Sequence, residues 1–325
     1  MQISPAPTGD LVGKPSVEAH PDLAAVRIML RNANLLPPTS GDVHAVRDYL
    51  NRMNGLTGAD SVALAQEQIL YLTVNGRNVP CKLYWPDKAR RPPLMFYCHG
   101  GGFRHGELAG WDAPLRQIVR DSGTAVLSIG YALSPEYKFP TAFNEVVEVM
   151  RRIIADGAVD GLEVGSFAAG GDSAGANLVL ASTIALREAR ISVFRHLMLL
   201  YGVYSKNLAS PSWQRLSGYG GHGLSSASMR TYWESYLTQD EADWRVQPLY
   251  ADLAGLPPAR ITVGDMDPLL DENIALAEKL KAAGCVVQLT VLPKIIHGVV
   301  RFNEVAPVIK EMLRVEADAL RHALA

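Results

Sequence analysis

Gly171-Asp172-Ser173-Ala174-Gly175 sets a serine in a G-x-S-x-G frame. Such a frame places the serine on a sharp strand-to-helix turn, where bulk at the glycine positions would meet neighbouring backbone. The hydroxyl would be a nucleophile at a helix N-terminus, which favours developing negative charge. Alone the pattern is weak in a chain with 28 glycines, and it also reads as a glycine-rich connection without chemistry. Its surroundings strengthen it: the apolar run 167–171 precedes it, and a helical pattern follows from Ala174 to Arg187. His99-Gly100-Gly101-Gly102-Phe103 follows another apolar run and offers backbone N–H groups unshielded by side chains, as an oxyanion hole needs. A plain turn or a phosphate cradle competes with that reading, but the glycine spacing matches neither nucleotide-binding motif.

A serine nucleophile requires a base, and the base an orienting carboxylate. Of the eight histidines, His297 stands just past the last predicted strand, at the end where catalytic groups gather in open α/β sheets. His20, His44, His105, His196, His222 and His322 lack such placement, and His99 suits holding the glycine loop by a hydrogen bond. Asp265, Asp267 and Asp271 all lie between Ser173 and His297, giving the order Ser…Asp…His. Asp267 also reads as a helix N-cap before Pro268. Spacing leaves the three open.

The elements that would position these groups follow from apolar periodicity. Residues 68–74 and 79–85 flank Asn75-Gly76, a strong hairpin signal. Short apolar runs at 94–98, 124–130, 167–171, 196–202, 259–264 and 286–292 suit strands buried on both faces. Helical patterns at 112–121, 142–156, 174–190 and 270–283 alternate with them, and Gly284 sits where a C-terminal cap belongs. The expected fold class is α/β, a mostly parallel sheet flanked by helices. Residues 1–66 read as a helical N-terminal piece. The stretch from Ser205 to Asp252 has no clear strand but carries Trp213, Tyr219, Trp233, Tyr236 and Trp244, which suggests an inserted helical lid.

Composition narrows the classes. At 325 residues and a net charge of −2, with charges of both signs interspersed, nothing marks a nucleic-acid or membrane footprint. Cys81, Cys98 and Cys285 are odd in number and far apart, which fits neither a disulfide framework nor a metal site and points to the cytoplasm. The first residues carry no signal-peptide pattern, and no apolar run is long enough to span a bilayer.

With these residues in hand, the chain resembles the hormone-sensitive-lipase-like family of bacterial carboxylesterases, members of the α/β-hydrolase fold with an eight-stranded sheet. HGGGF (99–103), YALSPE (131–136), GDSAGA (171–176), QPLYADLAGLPPARI (247–261), DPLLDE (267–272) and HGV (297–299) occur in family order over about residues 66–325. The resemblance implies hydrolysis of short- to medium-chain carboxylic esters without cofactor or metal. It implies Ser173, Asp267 and His297 as the triad and Gly101, Gly102 and Ala174 as oxyanion donors. Glu136 would support the region of the nucleophile turn. It further implies a catalytic domain over 67–325, a cap made of 1–66 and about 205–245, and a homodimer through 286–292 and 303–324. Ala132, Ala176 and Val299 depart from the family's Arg, Gly and Phe, which concerns packing rather than the reacting groups. The polar Arg104-His105 segment reads first as a solvent-facing loop, with a contact from Arg104 or His105 to a polar or acidic part of the substrate as the alternative. The same triad serves on lactones, amides or aryl formamides, and carbamates. Non-catalytic ligand-binding relatives of this fold have lost the triad histidine.

Overall fold

The computed structural model describes residues 18–38, 42–59, 61–86, 90–218, 223–239 and 242–325. Tyr219 and His222 lie outside them. Its centre is an eight-stranded sheet in the order β1-β2-β4-β3-β7-β8-β9-β10. The strands are β1 (Gln66–Val74), β2 (Arg77–Trp85), β3 (Leu94–Cys98), β4 (Ala125–Ile129), β7 (Phe167–Asp172), β8 (Phe194–Leu200), β9 (Ala259–Gly264) and β10 (Val287–Leu292). β1 and β2 form the hairpin expected around Asn75-Gly76, and both turn residues have positive φ. β2 is antiparallel to β4, and the pairings from β4 through β10 are parallel. A two-stranded hairpin, β5 (Ala158–Val159) with β6 (Leu162–Glu163), was not expected: two-residue strands carry no periodic signal.

The buried strands alternate between two apolar clusters. Leu94, Phe96 and Cys98 of β3 face the cluster that also holds Leu178 of α5 (Ala174–Glu188), Val146 of α4 (Thr141–Asp156) and Leu276 of α8 (Leu270–Ala282). Met95 and Tyr97 face the other, with Leu115 and Ile118 of α3 (Asp112–Ser122) and Ile309 and Leu313 of α9 (Pro307–Leu324). Both faces of β3 and β4 are therefore buried, which is why their sequences run apolar without alternation. α3 and α4 each end on a glycine in the left-handed region, Gly123 and Gly157.

Among the described residues, four more helices lie outside this sandwich. α1 (Pro21–Asn32) and α2 (Val43–Thr57) precede the sheet, and α6 (Pro211–Leu216) and α7 (Ser226–Tyr236) fall between β8 and β9. α1 is held at its start: the Asp22 carboxylate accepts the Val308 N–H at 2.9 Å, and Lys294 O accepts the His20 N–H at 2.8 Å. α7 opens with a Ser225–Ser228 capping box. Among the described residues no helix is long and apolar enough to cross a membrane.

Candidate active site

Ser173 sits between β7 and α5 with φ 53° and ψ −119°. That strained backbone is tolerated because the chain around it is packed without room. A Cβ on Gly175 would stand 1.9 Å from the Cys98 carbonyl oxygen, so α5 can approach the end of β3 only with glycine there. Ala176, where the family keeps glycine, is accommodated by Gly202: a Cβ on Gly202 would come within 2.8 Å of the Ala176 methyl.

The fold brings Ser173, His297 and Asp267 together. Ser173 Oγ lies 2.9 Å from His297 Nε2, and His297 Nδ1 lies 2.7 Å from Asp267 Oδ2. The network assigns the proton to Nδ1, donated to the carboxylate, which leaves Nε2 to accept from the serine hydroxyl. The other Asp267 oxygen accepts the Leu269 N–H at 2.9 Å, so one carboxylate both orders the start of α8 and holds the imidazole. The remaining aspartates are engaged elsewhere. Asp265 accepts the Lys294 N–H at 2.6 Å and Asp271 the Ser212 N–H at 2.7 Å. Tyr201 packs its ring edge-on to His297 at 5.1 Å, and its hydroxyl accepts the Val300 N–H at 3.0 Å.

Asp172 fastens the serine turn to the glycine loop. Its buried Oδ1 accepts from Tyr97 Oη at 3.0 Å, Gly100 N at 2.8 Å and Trp111 Nε1 at 2.8 Å. Burial raises its pKa, and these donors counter the shift. His99 is stacked on Tyr131 at 4.5 Å and lies 2.7 Å, through Nδ1, from the Gly100 carbonyl. Burial depresses its pKa to about 4, so the ring is neutral at pH 7 and donates that hydrogen bond. Gly101 and Gly102 both have positive φ, and both line the same cavity as Ser173. Among the described residues the N–H groups of Gly101, Gly102 and Ala174 have no protein acceptor. A Cβ on Gly102 would strike the Tyr232 ring at 2.4 Å, so the loop passes directly beneath α7.

Several expected placements need correction. Glu136 does not reach the serine turn: its carboxylate is held by Arg47 of α2 at 2.7 and 2.8 Å, which depresses its pKa to about 2. A buried carboxylate nearer the triad is Glu272 of α8, which accepts from Tyr204 N at 2.7 Å and Ser205 Oγ at 3.2 Å on the segment after β8 and feels the charge of Asp267. Nor is the Arg104-His105 segment a solvent-facing loop, since both residues are buried. Arg104 does not line the cavity, and its carbonyl accepts from Arg47 Nε at 3.0 Å. His105 does line it, as a ring kept neutral by burial and the neighbouring Arg104, with its pKa depressed to about 3. At Ala132 a guanidinium reaches the same turn from β2, where Arg77 pairs with Glu145 and bonds Gly130 O at 3.3 Å.

The cavity over Ser173 and His297 measures about 430 Å³. Leu23, Val26 and Leu30 of α1, Leu50 and Met53 of α2, and Leu224 give it apolar walls. Trp213, Trp233 and Tyr236 are instead buried in packing, and the Tyr236 ring stacks on Phe103 at 4.0 Å. The aromatic of the 205–245 segment that lines the cavity is Tyr232, beside Tyr49, Trp111 and Phe302 from elsewhere in the chain. It precedes Trp233 on α7 and so faces another way; the signal was its offset from the buried aromatics. A second cavity, about 470 Å³, lies behind the glycine loop by His99 and Tyr131, and Ser173 is not among its walls.

A parallel sheet carrying a Ser–His–Asp chain at the ends of its strands defines a serine hydrolase of the α/β class. Comparison with known proteins agrees: the α/β-hydrolase fold family matches residues 95–301, and the chain belongs to it. An ethyl acetate hydrolase of Pseudomonas putida is 31% identical over 261 residues, 78% of this chain and 81% of that protein. An acetyl esterase of Salmonella typhi is 30% identical over 291 residues, covering 87% and 86%. A thermostable carboxylesterase cloned from a metagenomic library superposes with a TM-score of 0.84 at 30% identity, covering 88% of this chain and 98% of that one.

Proposed function

We propose that this chain hydrolyses short- to medium-chain carboxylic esters through an acyl-enzyme on Ser173. The carrying observation is the unbroken chain Ser173 Oγ–His297 Nε2, His297 Nδ1–Asp267 at the floor of an apolar cavity. Ser173 Oγ attacks the acyl carbon as His297 Nε2 takes its proton. Asp267 stabilises the imidazolium. The N–H groups of Gly101, Gly102 and Ala174 receive the carbonyl oxygen as it becomes an oxyanion; one such donor is worth about 2.7–4 kcal/mol. His297 then protonates the leaving alkoxide. Water, deprotonated by His297, attacks the acyl carbon and releases acid and free Ser173. Relatives named for acetyl and ethyl acetate hydrolysis support a small ester.

The helices of 18–66 and the 205–245 segment serve, in this reading, as a cap over a catalytic domain of 67–325. Support comes from the walls of the cavity, which draw on α1, α2 and α7. A homodimer through β10 and α9 is part of the same proposal, since β10 is an edge strand with Val291 exposed.

A panel of p-nitrophenyl esters, tested beside lactones and aryl formamides, checks the bond class, with the short esters expected to turn over fastest. Ser173→Ala should lose several orders of magnitude in kcat and all labelling by a fluorophosphonate. Retention of most ester hydrolysis in that variant would reject the mechanism.

A further inference from the structure

We infer that the cavity over Ser173 receives an ester bearing a free carboxylate, bound by the guanidinium of Arg301. The inference rests on the hydrolysis reading above and names its substrate class. Arg301 follows His297 by four residues, in the short turn Val300–Phe302, and lines the cavity with Ser173 and His297. Its guanidinium lies over the Trp111 ring, 5.0 Å from the centroid. Nη1 donates to Asn54 Oδ1 at 3.0 Å, and Asn54 is itself seated where Gly110 leaves room for its amide. The group is thus held by a cation–π contact and by one hydrogen bond.

A guanidinium has five N–H donors in a fork that matches a carboxylate. Among the described residues Arg301 makes no other hydrogen bond and no ion pair. Asp172 is the only carboxylate among the described residues lining the cavity, and its Oδ1 already accepts three hydrogen bonds. Arg27 and Arg31 of α1 line the same cavity, again without an ion pair among the described residues. Burial lowers the pKa of Arg301, and the nearby Asp172 carboxylate only partly offsets that cost of taking the charge out of water. Arginine nevertheless remains charged in proteins. A chamber lined by the half-buried Arg301 and Arg27 and, at its exposed rim, Arg31, against the one carboxylate of Asp172, is complementary to a singly anionic ester.

The carboxylate could sit on the acyl or the alcohol side, and two substrate pairs separate these. Mono-p-nitrophenyl glutarate is compared with p-nitrophenyl valerate, and 4-acetoxybenzoate with 4-methylphenyl acetate. In at least one pair, kcat/KM for the anionic ester relative to its neutral partner should fall roughly 10- to 100-fold in Arg301→Gln, with partial recovery in Arg301→Lys. A ratio unmoved in both pairs overturns the inference, as does an equal loss on both members. Should Arg301→Gln not fold, wild-type inhibition decides. Hexanoate should inhibit hydrolysis of p-nitrophenyl acetate at least about tenfold more strongly than hexanamide, and equal inhibition overturns the inference. Ester hydrolysis by the wild type with anionic-to-neutral ratios that do not respond to Arg301→Gln sinks the anion site alone. No hydrolysis by the wild type, or full activity in Ser173→Ala, sinks the reaction itself.

Discussion

Asp267 has two oxygens and two tasks, and they differ in what each can tolerate losing. Oδ1 accepts the Leu269 N–H, while Oδ2 fixes the imidazole proton on Nδ1. An amide at this position preserves the shape but can present N–H to Nδ1, favouring the wrong tautomer. Asp267→Asn should therefore fold normally and lose about 10³–10⁴ in kcat, read by steady-state kinetics beside an unchanged circular dichroism spectrum. At this scale the sequence was informative where chemistry demands a residue type. Ser173 and His297 announce themselves by motif and order. The choice of Asp267 over Asp265 and Asp271 came from family resemblance, because three carboxylates within seven residues differ only in where the turn points them. Arg301 was illegible: an arginine in the short turn Val300–Phe302 looks solvated until α2 is seen to fold against it, whereas Tyr232 shows only through its offset on α7.

Strands and helices were legible in proportion to their burial. β3, β4 and β9 were visible as apolar runs because helices cover both their faces, and the β1–β2 hairpin through its Asn-Gly turn. β8 starts and ends two residues earlier than its apolar pattern, because Tyr201 and Gly202 are apolar for the needs of the site rather than of the sheet. α8 carries a consequence of its own. Glu272 is buried under the segment after β8, and burial, only partly offset by the Tyr204 N–H and the Ser205 hydroxyl, pushes its pKa up to about 8. A raised carboxyl pKa means that the folded state holds a proton the unfolded chain releases near its ordinary value of 4.5. The stability this group contributes is full below that value and is lost as pH rises toward 8. Glu272→Gln should flatten this segment of the curve, so that its Tm relative to wild type climbs between about pH 5 and 8. A parallel displacement of the two Tm curves across that range would reject this account.

For the molecule as a whole, the two open edges of the sheet and the three thiols offer direct checks. β1 ends one side and β10 the other. Pairing through β10 and α9 should give a light-scattering mass near twice 35.3 kDa, and Val291→Glu should return the monomer by placing charge on the exposed strand. A wild-type mass of 35.3 kDa would dismiss the dimer. Cys81 and Cys98 are buried, and burial pushes the Cys81 thiol up to about 12 and Cys98 higher than its ordinary value as well. Only Cys285 is partly accessible, so Ellman's reagent should titrate no more than one thiol in the native protein and all three after denaturation.

α2 touches both halves of the site at once. Its Arg47 is bonded to the carbonyl that follows the glycine loop, and its Asn54 holds the guanidinium on the turn that follows His297. The helix acts as a splint between the segment offering the oxyanion donors and the segment offering the base. Grafting this N-terminal piece from a relative would therefore transplant more than a preference for particular esters. It would reset the spacing between two catalytic loops, so chimaeras with crossovers before β1 should vary in turnover as widely as in selectivity.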